Sequence, residues 1–573
     1  MNLVKSIFAT TLVALMLLLL VSFEARASVI VVNTNVDEEN CGSSTVSLRE
    51  AIDIAQGSLL YINSDKLSQI WDTKGLLISP YIAPTPKGCA FGAILWWVQF
   101  ASSSSHTINF ANGLGIISVK SALPDLRYNS IEINGKAANG INIILDGALA
   151  GAGATGIAVG DHGYNLLNME IRNFSGDGVR LDGSDNSLLR GLKIHHNGAH
   201  GIHIVSTFEA YGNPQNNEIG GTGSDQGNII HSNGGDGINI TGNTAYDRAF
   251  QNIRILNNVI GTADGIAASP NGGNGISLVN TWGVTVGDST GLKKNIISGN
   301  SQNGVQISGA EAVSNSVFYN NIGTNSAGDA PLGNGWSGVA FLADAGHNVD
   351  KFRFENRVGK PGFPNLISAN QVGVYFGGTN TSHNIVQSNK IGTNDGANLN
   401  LGNTTQGVYF HDGSFDNLIG GTGDNEGNVI AFSGFAGILA TDGVRNSFKR
   451  NRIFSNVYLG IDLAASGVGG VTPNDLNDGD SGPNGLQNFP VISSVNSQSS
   501  FVAISGSLNS IPNQSFDLEF FGNSEQDYSG YGEGRNFLGT TRVTTNAGGC
   551  TLYRSEFHEY TVRRWVLGYG NSD

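Results

Sequence analysis

The residues of this chain best able to do chemistry crowd one stretch, where Asp177, Arg180, Asp182 and Asp185 are followed by His195, His196, His200 and His203. A carboxylate pair can hydrolyse a glycosidic bond, and a base beside a cation can abstract a proton next to a uronate carboxylate. The candidate catalytic set is Asp177, Arg180, Asp182, His200 and His203; a solvated polar face would use the same residue types. Tyr375 and Tyr409 form a second candidate, two aromatics able to offer rigid contact area to a sugar, although tyrosine also suits strands. A third is the oxygen-rich loop of Asp475, Asn477, Asp478, Asp480 and Asn484. Hard oxygen donors suit calcium, so a metal set of Asp475, Asp478 and Asp480 is weighed against a solvated acidic loop, since the spacing lacks the distal Glu of an EF-hand.

What must position these groups is a repeat. A glycine, a β-branched residue, a variable residue and an apolar or small residue recur twelve times, at Gly140, Gly156, Gly178, Gly201, Gly237, Gly275, Gly304, Gly338, Gly373, Gly407, Gly437 and Gly460. Gly156, Gly178 and Gly201 are 22 and 23 residues apart, enough for about three short strands and too few for a helical hairpin repeat of roughly 33 residues. Units this short bury no core alone and must stack, so the expected fold is an all-β parallel β-helix. Asn228, Asn295, Asn365 and Asn428 open a longer period of 67, 70 and 63 residues; either two or three coils would fill it.

Period-two alternation assigns the faces. The residue after each glycine and the one two further on should point inward, reading Ile, Val, Leu and later Phe341, Phe376 and Phe410, while the residue between them points out. That outward column reads Asn142, Ala158, Arg180, His203, Asn239, Ser277, Gln306, Ala340, Tyr375, Tyr409, Leu439 and Asp462. In this register Asp177 lies beside His200 and Arg180 beside His203. Asn228, Asn233, Asn258, Asn300 and Asn370 are read as αL turn residues.

The chain has 573 residues, 13% charged, and a formal charge of -15. Nucleic-acid binding through phosphates needs clustered Lys and Arg, which this composition does not supply. Lys5, the apolar run from Ile7 to Val21 and Ala25-Arg26-Ala27 before Ser28 predict a signal peptide over 1–27 and a secreted or cell-surface location, with no membrane span after cleavage. Cys41, Cys89 and Cys550 make an odd count, and Cys41 with Cys89 is the disulfide candidate. Gly151-Ala-Gly-Ala-Thr-Gly156 runs into a strand where a dinucleotide site needs a helix.

Near the start, Ser47 and Glu50 within Val46-Ser-Leu-Arg-Glu-Ala-Ile52 have capping-box spacing and predict a short helix that plugs the first coil. With His106-Thr-Ile-Asn-Phe110, Ile144-Leu-Asp-Gly147, Leu459-Gly-Ile-Asp-Leu463 and Gly482-Pro-Asn-Gly-Leu-Gln-Asn-Phe-Pro490, this resembles the secreted bacterial right-handed parallel β-helix proteins whose cap carries a Cys-Ser-Leu-Arg-Glu-Ala signature. The resemblance covers most of 29–548 and implies right-handedness and export, with little chemistry. Val46 stands where the signature has cysteine, and 57–105, with Trp96-Trp97, reads as an insertion. The expected organisation is a cap over 28–110, a β-helix over 111–490 and a small β-sandwich-like module over 491–573, whose tail from Cys550 departs in composition.

The leading expectation is an exported surface protein that binds polysaccharide or cell-surface glycan, or acts in adhesion, with no cofactor required. The alternatives are a polysaccharide lyase or glycoside hydrolase, and a purely structural stalk. Fold-level analogy carries most of this.

Overall fold

The structure is a computed structural model, described over residues 28–37, 46–56, 70–72, 105–127, 130–137, 140, 142–160, 163–205, 214–242, 252–288, 290–291, 293–343, 345, 355–464, 469–498, 500–525, 527, 529–558 and 570–572. The expected signal peptide, Cys41, Cys89 and Trp96-Trp97 lie outside these residues.

The chain folds as a right-handed parallel β-helix with a small C-terminal antiparallel module. Three sheets of 14, 12 and 11 strands run its length, and neighbours within each sheet come from successive coils. The first sheet opens with Ser28–Val32, paired antiparallel to Ile70–Asp72 and parallel to His106–Phe110. The second runs from Ile116–Ser118 to Arg452–Phe454, and the third from Ile157–Gly160 to Ile461–Leu463.

Eleven of the twelve glycine repeats mark the eleven strands of the third sheet. The match at Gly140 is out of frame, because it leads into Ile143–Asp146 of the second sheet, and Asn142 bridges to Lys136 instead of joining the outward column. Inward residues behave as alternation requires: Val179, Leu181, Ile202 and Ile204 are fully buried. Phe341, Phe376 and Phe410 stack as a ladder, with centroids 4.9 and 4.4 Å apart. The long period resolves into two coils, since the second-sheet strands at Ile229, Val259 and Ile296 are consecutive.

The buried asparagines do something the turn reading did not foresee. Asn228, Asn258, Asn295, Asn320, Asn365, Asn389, Asn428 and Asn451 form an uninterrupted ladder. Each Oδ1 accepts the side-chain amide of the preceding asparagine, as where Asn295 Nδ2 donates to Asn320 Oδ1 at 2.8 Å and Asn320 Nδ2 to Asn365 Oδ1 at 2.9 Å. Of the asparagines read as αL turn residues, Asn233, Asn258, Asn300 and Asn370 are each preceded by the αL residue, Ser232, Asn257, Gly299 and Ala369, with φ of 52°, 65°, 75° and 60°, and Asn228 is not. That backbone turn aims the next side chain into the coil, where hydrogen bonding is obligatory.

At the N-terminal end, Glu50 N donates to Ser47 Oγ (3.2 Å) and Ser47 N to Glu50 Oε2 (3.0 Å), a closed capping box that starts the helix Leu48–Gln56. Leu48, Ala51, Ile52 and Ala55 join the solenoid core, and Val46 is fully buried. At the other end, Cys550–His558 pairs along its whole length with Phe501–Asn509, so the compositional break at Cys550 is not a break in the fold. Cys550 itself is an exposed free thiol. No helix among the described residues is long and apolar enough to cross a membrane.

Candidate functional site

The third sheet carries both leading candidates on one outer face. Its register places Arg180 opposite Ala158 on one side and His203 on the other, then Asn239, Ser277, Gln306, Ala340, Tyr375, Tyr409, Leu439 and Asp462 in line; the register is as expected, but Asn239, Ser277, Ala340, Leu439 and Asp462 are buried and not at the surface.

At the N-terminal end of this face the chain clusters Asp177, His200 and His203, whose ligand atoms lie within 4.8 Å of one another. Asp177 is 6% exposed. Its Oδ1 accepts the His200 backbone N–H at 3.0 Å, and its Oδ2 lies 3.0 Å from His203 Nδ1. Burial pushes the Asp177 carboxyl up, but the His203 ring and the His200 N–H outweigh it, so the group sits below its ordinary range. An ionised Asp177 holds the His203 proton on Nδ1 and leaves Nε2 as the basic atom. Arg180, on the adjacent strand, lies 3.6 Å from Asp182.

His200 has a different role. Its Nδ1 accepts the Asp236 backbone N–H at 3.0 Å, which places the neutral ring's proton on Nε2. Burial holds His200 below the ordinary histidine range. The ring is therefore a link in a second polar ladder, which continues as Asn274 N and Nδ2 donate to Asp236 Oδ1 (2.6 and 3.1 Å) and Asn303 N donates to Asn274 Oδ1 (3.1 Å). Metal ligation by all three groups would have to break the Asp236 contact. The geometry is that of an acid–base pair, Asp177 with His203, braced by His200.

His195 and His196 are not part of this groove. His195 lies on the second sheet, in register with His231, and their rings stack at 4.9 Å and 4°. His195 Nε2 lies 3.2 Å from Glu170 Oε1, and its Nδ1 lies 2.7 Å from His196 Nδ1. Burial pulls His195 below its ordinary range and His231 down to about 4. Linear nearness misled here because a coil turns between residues 196 and 200. Asp185 is engaged elsewhere too, accepting the Gln215 N–H at 2.8 Å.

Further along, Tyr375 and Tyr409 meet with centroids 5.5 Å apart at 61°. The Tyr375 ring lies over Gly377, where an added Cβ would come within 2.6 Å of Cε1. Burial, with Asp412 and Tyr409 behind it, pushes the Tyr375 phenol up, so it stays neutral. Three aromatics escaped the outward-column reading: Trp336, 63% exposed, Phe435, and Tyr458, 48% exposed. All sit two residues before a repeat glycine, on a backbone ladder in which Tyr458 N donates to Phe435 O at 3.1 Å and Trp336 N to Gln302 O at 3.1 Å. Following that second frame position would have found them.

Asp475, Asp478 and Asp480 also converge, on the loop between the last coil and the C-terminal module. Asp475 accepts the Gly479 N–H (3.0 Å), and Asp478 accepts the Asn488 N–H and the Ser510 hydroxyl (both 2.8 Å). Asp480 Oδ1 is buried without a partner, and burial followed by its two acidic neighbours raises its carboxyl.

No protein-family profile matches the sequence, and no curated protein matches it. Solved structures do align. The A-module of mannuronan C-5 epimerase AlgE4 from Azotobacter vinelandii is 15% identical, with 64% of this chain and 82% of that one covered at a TM-score of 0.32. The AlgE6 A-module from the same organism is 16% identical, covering 63% and 82% at 0.34. An alginate lyase from Paenibacillus sp. is 13% identical, covering 62% and 92% at 0.25. At this distance the superpositions transfer neither activity nor site residues to this chain.

Proposed function

We propose that this protein binds polysaccharide along the outer face of the third sheet, as an exported cell-surface or extracellular protein. The observation that carries the reading is the in-register column of the third sheet, along which Tyr375 and Tyr409 lie 5.5 Å apart on the sheet that also carries the Asp177–His203 pair. Aromatic rings supply large contact area at low conformational cost, and a regular sheet face presents it to an extended chain. The test is to incubate the purified protein with a panel of polysaccharides and score retained protein and released oligosaccharide together. Retention without product supports a binder; failure to retain any glycan removes the reading.

A second reading rests on the 3.0 Å contact from Asp177 Oδ2 to His203 Nδ1. A carboxylate that orients an imidazole and leaves Nε2 basic is a general-base arrangement, and Arg180 beside it can neutralise a carboxylate during polysaccharide elimination. In that case His203→Ala and Asp177→Asn abolish oligosaccharide release while glycan retention at the tyrosines persists. Unchanged release from both variants would remove the site.

Calcium at the Asp475–Asp478–Asp480 loop is a subsidiary proposal supported by one atom, the unpartnered Asp480 Oδ1. An ion there would raise the melting temperature of the wild type and not of Asp480→Asn. Equal melting temperatures with and without calcium would end it.

A further inference from the structure

The face described above is not chemically uniform along its length. Its one guanidinium, Arg180, lies at the N-terminal end. From the coil of Gly237 to the coil of Gly460, four columns make up the outer face: the residues one and two before each repeat glycine, and those two and four after it. None of these positions is Lys or Arg. The basic side chain among them is His411, 2.6 Å from Asp412, and the two carboxylates in these columns, Asp236 and Asp462, are buried. A polyuronate laid along this stretch would bring a carboxylate on every sugar to columns that carry no Lys or Arg to meet it.

Aromatic surface replaces charge over the same coils. Beyond the Tyr375–Tyr409 contact, Tyr409 and Phe435 both pack against the patch formed by Ala436, Leu439 and Ala464. Phe435 then stacks on Tyr458, with centroids 4.4 Å apart at 40°. Trp336 stands on the same border of the face as Phe435 and Tyr458, in the position two before the repeat glycine, and is 63% exposed. Large rigid rings exposed on this border can offer contact area to a ligand.

We infer that the C-terminal half of this face binds an uncharged glycan chain, its sugar faces stacked on the strip Tyr375, Tyr409, Phe435 and Tyr458 with Trp336 at the border. This rests on the polysaccharide-binding reading and narrows it to neutral glycans. The partner is named by charge and shape: a neutral polymer with apolar C–H faces satisfies rings set among columns without Lys or Arg, whereas a polyanion finds no counter-charge in them. Binding of this kind owes little to long-range Coulomb attraction and should be insensitive to salt.

The experiment measures affinity of the purified full chain for soluble mixed-linkage β-glucan, xylan and galactomannan on one side and for alginate and polygalacturonate on the other, at low and high salt. Wild type, Trp336→Ala, Tyr458→Ala and Tyr375→Ala are compared. The inference expects a neutral glycan to bind with salt-insensitive affinity, weakened roughly tenfold or more by Trp336→Ala and Tyr375→Ala. Trp336 is exposed enough for its truncation to leave the fold intact, and an unchanged melting temperature checks this. Binding of polyuronates alone, or neutral binding untouched by all three substitutions, overturns the inference while leaving polysaccharide binding in place. Retention of no glycan in either group overturns both.

Discussion

At the scale of single residues, Asp177 does two things that a surface acid would not. It is nearly buried and holds two partners, the His200 N–H and the His203 ring. Asp177→Ala leaves both without an acceptor, and each orphaned buried group costs about 1–3 kcal/mol. Urea denaturation should therefore show a loss of a few kcal/mol, whereas His203→Ala, which removes one contact at the rim, should cost less. The neutral histidines give a pH prediction. Burial lowers His106 and His231 to about 4 from 6.5. The unfolded chain takes up these protons first, so stability is unaffected above about pH 6.5 and falls as the pH drops toward 4. His231→Gln should make thermal unfolding less sensitive to pH in that window; an unaltered slope would show that His231 is not responsible. The Asp177, His200 and His203 grouping was legible because all three fall at fixed offsets from repeat glycines. His195 and His196 were not placed correctly, because offsets from a glycine cannot show where the chain leaves one sheet for the next.

At the scale of elements, two ladders hold the coils together. The phenylalanine stack at 341, 376 and 410 was readable from alternation, since inward positions must be apolar. Phe376→Ala should cost about 3–5 kcal/mol. The asparagine ladder was not readable, because asparagine is equally at home in an αL turn, and only the stacked register shows that its side chain lies inside. Asn320 Oδ1 accepts from Asn295 Nδ2 (2.8 Å), while its own N and Nδ2 donate to Asn365 Oδ1 (3.0 and 2.9 Å). Asn320→Ala thus takes the Asn320 acceptor from Asn295 Nδ2 and the Nδ2 donor from Asn365 Oδ1 and Val286 O, while the backbone N–H to Asn365 remains. The expected loss is roughly 2–5 kcal/mol, read as a shift in the urea midpoint; a loss under about 0.5 kcal/mol, typical of surface positions, would mean the ladder is not structural. Trp336, Phe435 and Tyr458 were missed for a comparable reason. They occupy a turn column in which most coils carry small or polar residues, so no local pattern announces them.

At the scale of the whole molecule, the open end of the solenoid is closed by the C-terminal module through buried carboxylates. Glu533 Oε1 accepts both Asn456 N and Nδ2 (3.1 and 2.8 Å), and Glu519 Oε2 accepts the Arg450 N–H at 2.8 Å. Burial raises both carboxyls above their ordinary range. The undocked form therefore loses these protons first as the pH rises, and docking is weaker at neutrality than in mild acid. Glu533→Gln keeps an acceptor for Asn456 and removes the ionisation, so it should raise the melting temperature at neutral pH and flatten its fall as the pH rises above the ordinary carboxylate range. The repeat made this architecture legible from one sequence. Coil count was not, because the spacing between the eleven in-frame repeat glycines runs from 22 to 38 residues and long loops imitate extra strands.

One experiment bears most directly on the claim that the third sheet is the binding face. Hydroxyl-radical footprinting of the protein, free and saturated with a retained polysaccharide, reports which side chains the glycan covers. Protection should concentrate on Trp336, Tyr375, Tyr409 and Tyr458. Protection of His195 and His231 on the second sheet, or of the C-terminal module, with those four unchanged, would contradict it.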